Sequence, residues 1–459
     1  MRLSAATQDR LAPEVERYDY DRDHQAVGIV HFGIGAFHRA HQAWYVDRAM
    51  AAGDRDWAIT GVSLRSGDVA DQMNPQDGLY TLTERSADGE ATRLIGAVKG
   101  VLVATRRSDA VVAALAAPAT RIVSFTITEK GYCRAADGGL DPALAGEASV
   151  FAFLARGLRA RHEAGLPGLT LLSCDNLADN GQQLARLTGE YLARHDPRLR
   201  GWFERECSCP ATMVDRIVPA TTDADRQRLA ARIGLDDAAA VMTEPFSQWV
   251  MEDRFAGPRP RWEAVGAELV ADVAAYETAK LRLLNGAHSA LAYLGLEHGH
   301  TYVHEAIADP ALRPTIERLM REEALPTIEA APGQNLAAYI DALLARFANP
   351  ALQHRLIQIA MDGSQKIPQR WLATLADSQR AGRGCPAILA ALGAWLRHVR
   401  GDNVAKWGPV DDPLAAELAR AAAGCDLAAA AQRLFGEGRR FADAWTIGDA
   451  DRVVLATVG

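Results

Sequence analysis

Gly28-Ile-Val-His-Phe-Gly33-Ile-Gly35-Ala-Phe-His38 decides how the first half of the chain is read. The run up to Phe32 is of β type, the glycines break it, and the apolar spacing that follows is helical. A strand, a Gly-x-Gly turn and a helix in that order suit the phosphates of a dinucleotide. Gly33 makes the tight turn, Gly35 lets a pyrophosphate approach the backbone, and the helix offers its N-terminal amides. Ile34, Ala36 and Phe37 are assigned to the same cofactor loop. His38 stands where a third glycine normally packs helix on strand, so a wider crossing or an outward-turned imidazole is expected.

Outward from this turn, short β-type runs alternate with helical stretches, the pattern of a sheet with helices packed on it. Strands are expected at 27–32, 57–64, 121–128, 169–174 and 213–218, and helices at 39–52, 109–116, 150–164 and 181–193. Residues 79–105 read as two strands, 79–83 and 92–105, with no helix between them: an antiparallel insertion or edge extension. The ribose-binding acid of such a unit follows its second strand. Asp54 and Asp56 precede that strand, whereas Asp68, in Leu64-Arg65-Ser66-Gly67-Asp68, follows it. Arg65 offers the alternative of holding a 2′-phosphate, so NAD is expected before NADP.

After about residue 270 the texture becomes Ala/Leu-rich and helical, with Gly and Pro breakers between segments. At its start lies Tyr276-Glu-Thr-Ala-Lys280-Leu-Arg-Leu-Leu-Asn285-Gly-Ala-His288. Ala279, Leu281, Leu283 and Leu284 surround Lys280 and should desolvate its ammonium, drawing its pKa from about 10.4 toward neutrality. At about 100° per residue, Leu284, His288 and Asn285 fall roughly 40°, 80° and 140° round from Lys280. That is a wide arc, but one on which three polar groups could meet a small molecule.

Other groups carry weaker signals. Ser173-Cys174-Asp175-Asn176 ends a strand expected to be parallel, where ligands of open α/β sheets bind; Asn176 is an amide donor there or else a cap. Thr128-Glu-Lys-Gly-Tyr132 has the same ambiguity. Asp215 is polar in an apolar strand and could pair with Arg216 or Lys280 or touch a ligand. Met361-Asp-Gly-Ser-Gln-Lys366-Ile-Pro-Gln-Arg370 sets two cations around a turn, a clamp for a carboxylated or hydroxylated tail. His298, His300 and His304 with Glu305, and the pair Cys207 and Cys209, lack convincing metal spacing, so no metal site is expected.

Composition narrows the partner. The chain of 459 residues is 49% apolar with a formal net charge of −8, which fits two or three globular domains and not a nucleic-acid surface. The N-terminal residues lack the apolar core of a signal peptide and no run has the length of a membrane span. A cytoplasmic protein with six reduced cysteines, acting on a small molecule as a monomer or weak dimer, is expected.

Taken together, these motifs resemble the polyol-specific long-chain dehydrogenases, the family of mannitol 2-dehydrogenase and fructuronate reductase. The likeness rests on Gly33-Ile-Gly35-Ala-Phe-His-Arg-Ala-His-Gln, Thr128-Glu-Lys-Gly-Tyr-Cys133, Ser173-Cys-Asp-Asn176, Met213-Val-Asp-Arg-Ile-Val-Pro219, Glu244-Pro-Phe-Ser-Gln-Trp-Val and Lys280-x4-Asn285-Gly-x-His288. It implies an α/β Rossmann-type NAD-binding domain with a β insertion (1–272), a mainly α-helical substrate domain (273–459), a cleft between them, and metal-independent hydride exchange. It further implies that Lys280 is the general acid/base, that Asn176 and Asn285 hold the reacting oxygen, that His288 orients the substrate, and that Glu277 is an acid near the lysine. By the same resemblance Asp215 and Lys366 line the cleft. Mannitol enzymes carry an arginine eight residues before the position of Lys366; here that residue is Gln358. The surrounding segment is closer to fructuronate reductases, and a 2-keto uronate with its carboxylate met by Lys366 or Arg370 joins the polyols and ketoses as a candidate. Tyr276-x-x-x-Lys280 also matches the Tyr/Lys pair of short-chain dehydrogenases, in which the tyrosine is the acid. A catalytically silent nucleotide-binding sensor on the same fold is the alternative of a different class.

Overall fold

Strand β1 (Val27–Phe32) alternates between two cores. Ile29 belongs to one, while Val30 and Phe32 belong to the other. Its neighbours divide in the same way: Ile59 against Val62 in β2 (Ala58–Ser63), and Ile122 against Val123 and Phe125 in the strand that flanks β1 on its other side. A sheet buried on both faces needs parallel strands covered by helices, and that is what forms.

The computed structural model describes residues 1–135 and 137–457. The remaining strands are β3 (Tyr80–Ser86), β4 (Gly89–Ile95), β5 (Val98–Val103), β6 (Ile122–Phe125), β7 (Thr170–Ser173), β8 (Thr212–Asp215), β9 (Val241–Thr243), β10 (Gln248–Glu252) and β11 (Glu268–Val270). The main sheet has the order β5-β2-β1-β6-β7 and all its pairings are parallel. Chain order reverses between β1 and β6, so the Gly33 turn lies at the switch point where nucleotides bind in such sheets. Two three-stranded sheets, β4-β3-β9 and β11-β10-β8, accompany it.

Several expectations are corrected here. The run 92–105 is two strands: β4 closes a hairpin on β3, and β5 crosses to the edge of the parallel sheet. The break comes at Gly96, where a Cβ would lie 2.6 Å from the Tyr18 ring. The strand expected at 213–218 is β8 and pairs antiparallel with β10, outside the main sheet. The strand expected at 121–128 ends at Phe125, and Thr128, at φ +62°, opens the short helix Thr128–Gly131. The helix expected at 39–52 is two, Ala36–Ala40 and Gln42–Ala51, which meet at His41.

The chain divides into two compact units, Met1–Val273 and Ala274–Gly459. The second is helical and has its own core. Its central helix begins at Ala274–Ala279, widens into a π-helical turn over Lys280–Asn285, and resumes as Gly286–Glu297. Apolar residues on every side of Gly286–Glu297 are buried, as a helix that is hydrophobic all round must be. Two further π turns, Leu319–Ala324 and Pro368–Leu372, lie in this unit. Among the described residues no helix is long and apolar enough to cross a membrane.

Candidate active site

In the first unit the Gly33 turn is built as its glycines require. Gly33 has φ +92°, and a Cβ there would lie 2.0 Å from the Thr126 carbonyl oxygen. Its own carbonyl accepts from Thr126 Oγ1 at 2.6 Å. Gly35 is exposed and extended, and a Cβ on it would find only the Gly33 oxygen, at 3.9 Å. That open backbone is the room a pyrophosphate needs, so these residues fit a dinucleotide. Ile34 is turned into the core against Gly61, while Ala36 and Phe37 are partly exposed on the first turn of the helix.

His38 is turned inward, against the expectation of an outward ring. It stacks on His31 of β1 with centroids 3.4 Å apart, and both are fully buried. His31 Nδ1 meets Ser124 Oγ at 2.8 Å and its Nε2 meets Thr126 Oγ1 at 2.9 Å, so the pair ties β1, β6 and the turn together. Burial pushes the His31 imidazole down to about 3, and burial with repulsion from His31 holds His38 well below the ordinary histidine range.

Asp68 begins the helix Asp68–Met73 after β2, and both it and Arg65 are exposed. The sequence reading missed Arg106: its guanidinium lies against Gly67, where a Cβ would be 2.5 Å from Nη2, and it pairs with Asp71 at 3.3 Å. Only the pairing of β2 with β5 brings it there.

Asn176 is exposed just beyond β7, and its neighbour explains its placement. The buried carboxylate of Asp175 accepts from Ile127 N at 3.0 Å, Thr128 N at 2.9 Å and Tyr132 Oη at 2.9 Å. It thereby locks the β7 end to the turn after β6. Asn180 extends the brace, donating to the carbonyls of Asp175 and Thr212. Asp215 is buried at the end of β8. Arg216 beside it bonds to Glu84 and to the carbonyls of Ala40 and Glu244, with its guanidinium 4.7 Å from the Trp44 ring centroid.

In the second unit the α-helical angles expected around Lys280 do not hold. A π turn closes i→i+5 and carries more residues than the 3.6 of an α turn. Asn285 therefore comes round closer to Lys280 than the 140° of an α-helix allows. Lys280 is 8% exposed, flanked by buried Ala279, Leu283 and Leu284; Glu277 is half-buried one turn earlier.

The π turn is braced from Pro368–Leu372. Trp371 Nε1 donates to the Gly286 carbonyl at 3.0 Å, and Arg370 Nη1 reaches Ser289 Oγ at 2.7 Å and the Asn285 carbonyl at 3.4 Å. Gly286 permits this approach: a Cβ on it would sit 3.3 Å from the Arg370 carbonyl. Among the described residues Arg370 has no carboxylate partner, and burial pushes its guanidinium down to about 10.

His288 stacks on Phe347 at 5.3 Å and meets His354 edge-on at 4.9 Å. Burial, then repulsion from His354, Arg370, Arg346 and Lys366, pushes it well below the ordinary range, and His354 falls to about 4. Lys366 Nζ donates to the Met361 carbonyl at 2.5 Å. The structure thus gathers Lys280, Asn285, His288, Lys366 and Arg370 in one unit and adds His354 and Arg346, which no local motif signals. Glu305 leaves the histidine group, since it accepts from Thr301 N and Tyr302 N; Asp309 takes its place beside His298 and His300.

The family profile described as the mannitol dehydrogenase Rossmann domain matches residues 27–264, and that described as the mannitol dehydrogenase C-terminal domain matches 272–442. The chain belongs to the mannitol dehydrogenase family. It is 40% identical over 446 residues to the D-mannonate oxidoreductase of Escherichia coli (strain K12), covering 94% of this chain and 92% of that one. Identity to the mannitol 2-dehydrogenase of Pyrenophora tritici-repentis is also 40%, covering 92% and 78%. The solved ternary complex of Pseudomonas fluorescens mannitol 2-dehydrogenase with NAD and D-mannitol superposes with a TM-score of 0.88 at 36% identity, covering 100% of this chain and 96% of that one. As a mannitol dehydrogenase family oxidoreductase the chain acts on secondary alcohols with a nicotinamide cofactor, and its α/β and helical units are those of the family.

Proposed function

We propose that the protein exchanges a hydride with NAD at C2 of a sugar alcohol or aldonate, interconverting it with the 2-keto compound, and that Lys280 is the acid/base. The observation that carries this reading is the π turn, which brings Asn285 round toward Lys280, itself buried beside Ala279, Leu283 and Leu284. In the oxidative direction neutral Lys280 takes the proton of the C2 hydroxyl. The amides of Asn285 and Asn176 hydrogen-bond the oxygen as it gains charge. His288, held neutral, orients a neighbouring hydroxyl, and Asp215 and Lys366 bind further ones. Glu277, when ionised, favours charged Lys280, or it relays the proton outward. In reduction charged Lys280 is the donor and the two amides polarise the ketone.

The bound nicotinamide supplies the hydride acceptor. Gly33, Ile34, Gly35, Ala36 and Phe37 would hold its pyrophosphate and Asp68 its ribose. Arg65 and Arg106 offer the alternative of holding a 2′-phosphate, so both forms belong in the assay. Arg370, half-buried and without a carboxylate partner among the described residues, favours a substrate that brings a carboxylate.

A kinetic panel of fructose, fructuronate, tagaturonate, mannitol and arabinitol with both cofactors tests the reading. Turnover is expected with fructuronate or tagaturonate above the neutral sugars. Lys280→Ala should lower kcat by about 10²–10⁴, and Tyr276→Phe should keep most of it. The reverse pattern would sink the lysine mechanism, and cofactor binding with no turnover across the panel would make the chain a nucleotide sensor.

A further inference from the structure

The central helix of the second unit ends at Glu297, and His298 follows as its C-cap. Gly299, at φ +85°, turns the chain so that His300 faces back toward the same point. The helix Val303–Ala308 then brings in Asp309. His298 Nδ1 lies 3.1 Å and His300 Nε2 2.9 Å from the same oxygen, Asp309 Oδ2. The three donor atoms all fall within 4.8 Å of one another.

We propose that His298, His300 and Asp309 bind a divalent transition-metal ion of the zinc class, at a site separate from the chemistry. Two imidazoles and one carboxylate are a borderline donor set suited to zinc, cobalt, nickel or copper, not to magnesium or calcium. Zinc bonds of about 2.0–2.2 Å in a tetrahedron separate the ligand atoms by roughly 3.4 Å, so on entry of an ion each histidine nitrogen moves a few tenths of an ångström from Asp309 Oδ2 and the two nitrogens, within 4.8 Å of each other, settle to that spacing. The carboxylate is already oriented, because its other oxygen accepts from Ala311 N at 2.8 Å, the kind of outer contact that fixes a ligand. Backbone bonds from His298 N to Leu294 O and from His300 N to Gly295 O pin both histidines. The side chains are 41%, 27% and 16% exposed, which leaves access for the ion and for water as a fourth ligand. The carbonyl end of a helix also favours a cation. Lys406, whose Nζ donates to the Gly299 carbonyl at 3.1 Å, opposes it and sets the affinity below that of a closed structural site. At about 1.5 Å per residue, His298 lies roughly 25 Å along the helix from Lys280, so the ion clamps two helices and touches no reacting group.

The test is titration of the full chain with Zn(II) and Co(II) by calorimetry and visible absorption. One ion per chain, a tetrahedral Co(II) band and a higher melting temperature with Zn(II) are expected. His300→Gln and Asp309→Asn should each weaken binding by about tenfold or more while leaving kcat and the ion-free melting temperature nearly unchanged. If neither ion binds, or if binding survives both substitutions, the proposal fails. Should Asp309→Asn fail to fold, His298→Gln serves in its place.

Discussion

At the scale of single residues, the stacked pair of His31 and His38 sets a pH limit on the fold. Both imidazoles are buried neutral, with His31 at about 3 and His38 well below its ordinary value. The unfolded chain protonates both near pH 6.5, so it binds more protons than the folded chain below that point. The stability at stake is present in full above pH 6.5 and is lost as pH falls toward 3. The melting temperature should decline across that window, with a shallower slope in His38→Gln; an unchanged slope would remove the pair as the cause. The place of His38 after Gly-x-Gly was legible in the sequence, but its inward turn was not. That turn depends on Ser124 and Thr126, nearly a hundred residues on, which anchor the ring beneath it. Asp309 was illegible for the same reason: its partners meet it only after a helix has folded between them.

At the scale of elements, strands and helices of the first unit were readable because alternation and glycine turns are local signals. The single strand expected over 92–105 failed where a distant ring, Tyr18, crosses at Gly96. The π turn was also hidden. Leu281-Arg-Leu-Leu284 suits an α-helix equally well, and the wider turn answers to Trp371 and Arg370, which bond to the carbonyls of Gly286 and Asn285. Trp371→Phe, which removes the donor to the Gly286 carbonyl, should let the segment relax toward α geometry and carry Asn285 round toward the roughly 140° from Lys280 that an α-helix gives. Circular dichroism should report a folded chain, cofactor affinity should stay within a few-fold, and kcat should fall by about 10² or more. Full turnover in Trp371→Phe would show that the π turn is incidental.

For the molecule as a whole, there are two units with separate cores, and the dinucleotide site proposed at the Gly33 turn draws all its residues from the first. NAD at a hundred times its Kd should stabilise the unit that binds it by about 2.7 kcal/mol. A scanning calorimetry trace should show that gain in the transition of the first unit; an unmoved trace would contradict cofactor binding at the Gly33 turn. The division into an α/β half and a helical half was plain from texture alone, because period 2 gives way to period 3.6 near residue 270. The π turn gives that helical half a property that no list of side chains captures. Such a turn is an α-helix with surplus backbone. A sister chain could drop one position between Ala279 and Gly286, return to a plain α turn, and still keep its lysine within about 40° of its asparagine. Spacing in the sequence is therefore a poor guide to this pair, because Lys-x3-Asn on an α turn and Lys-x4-Asn on a π turn present the two side chains in much the same way.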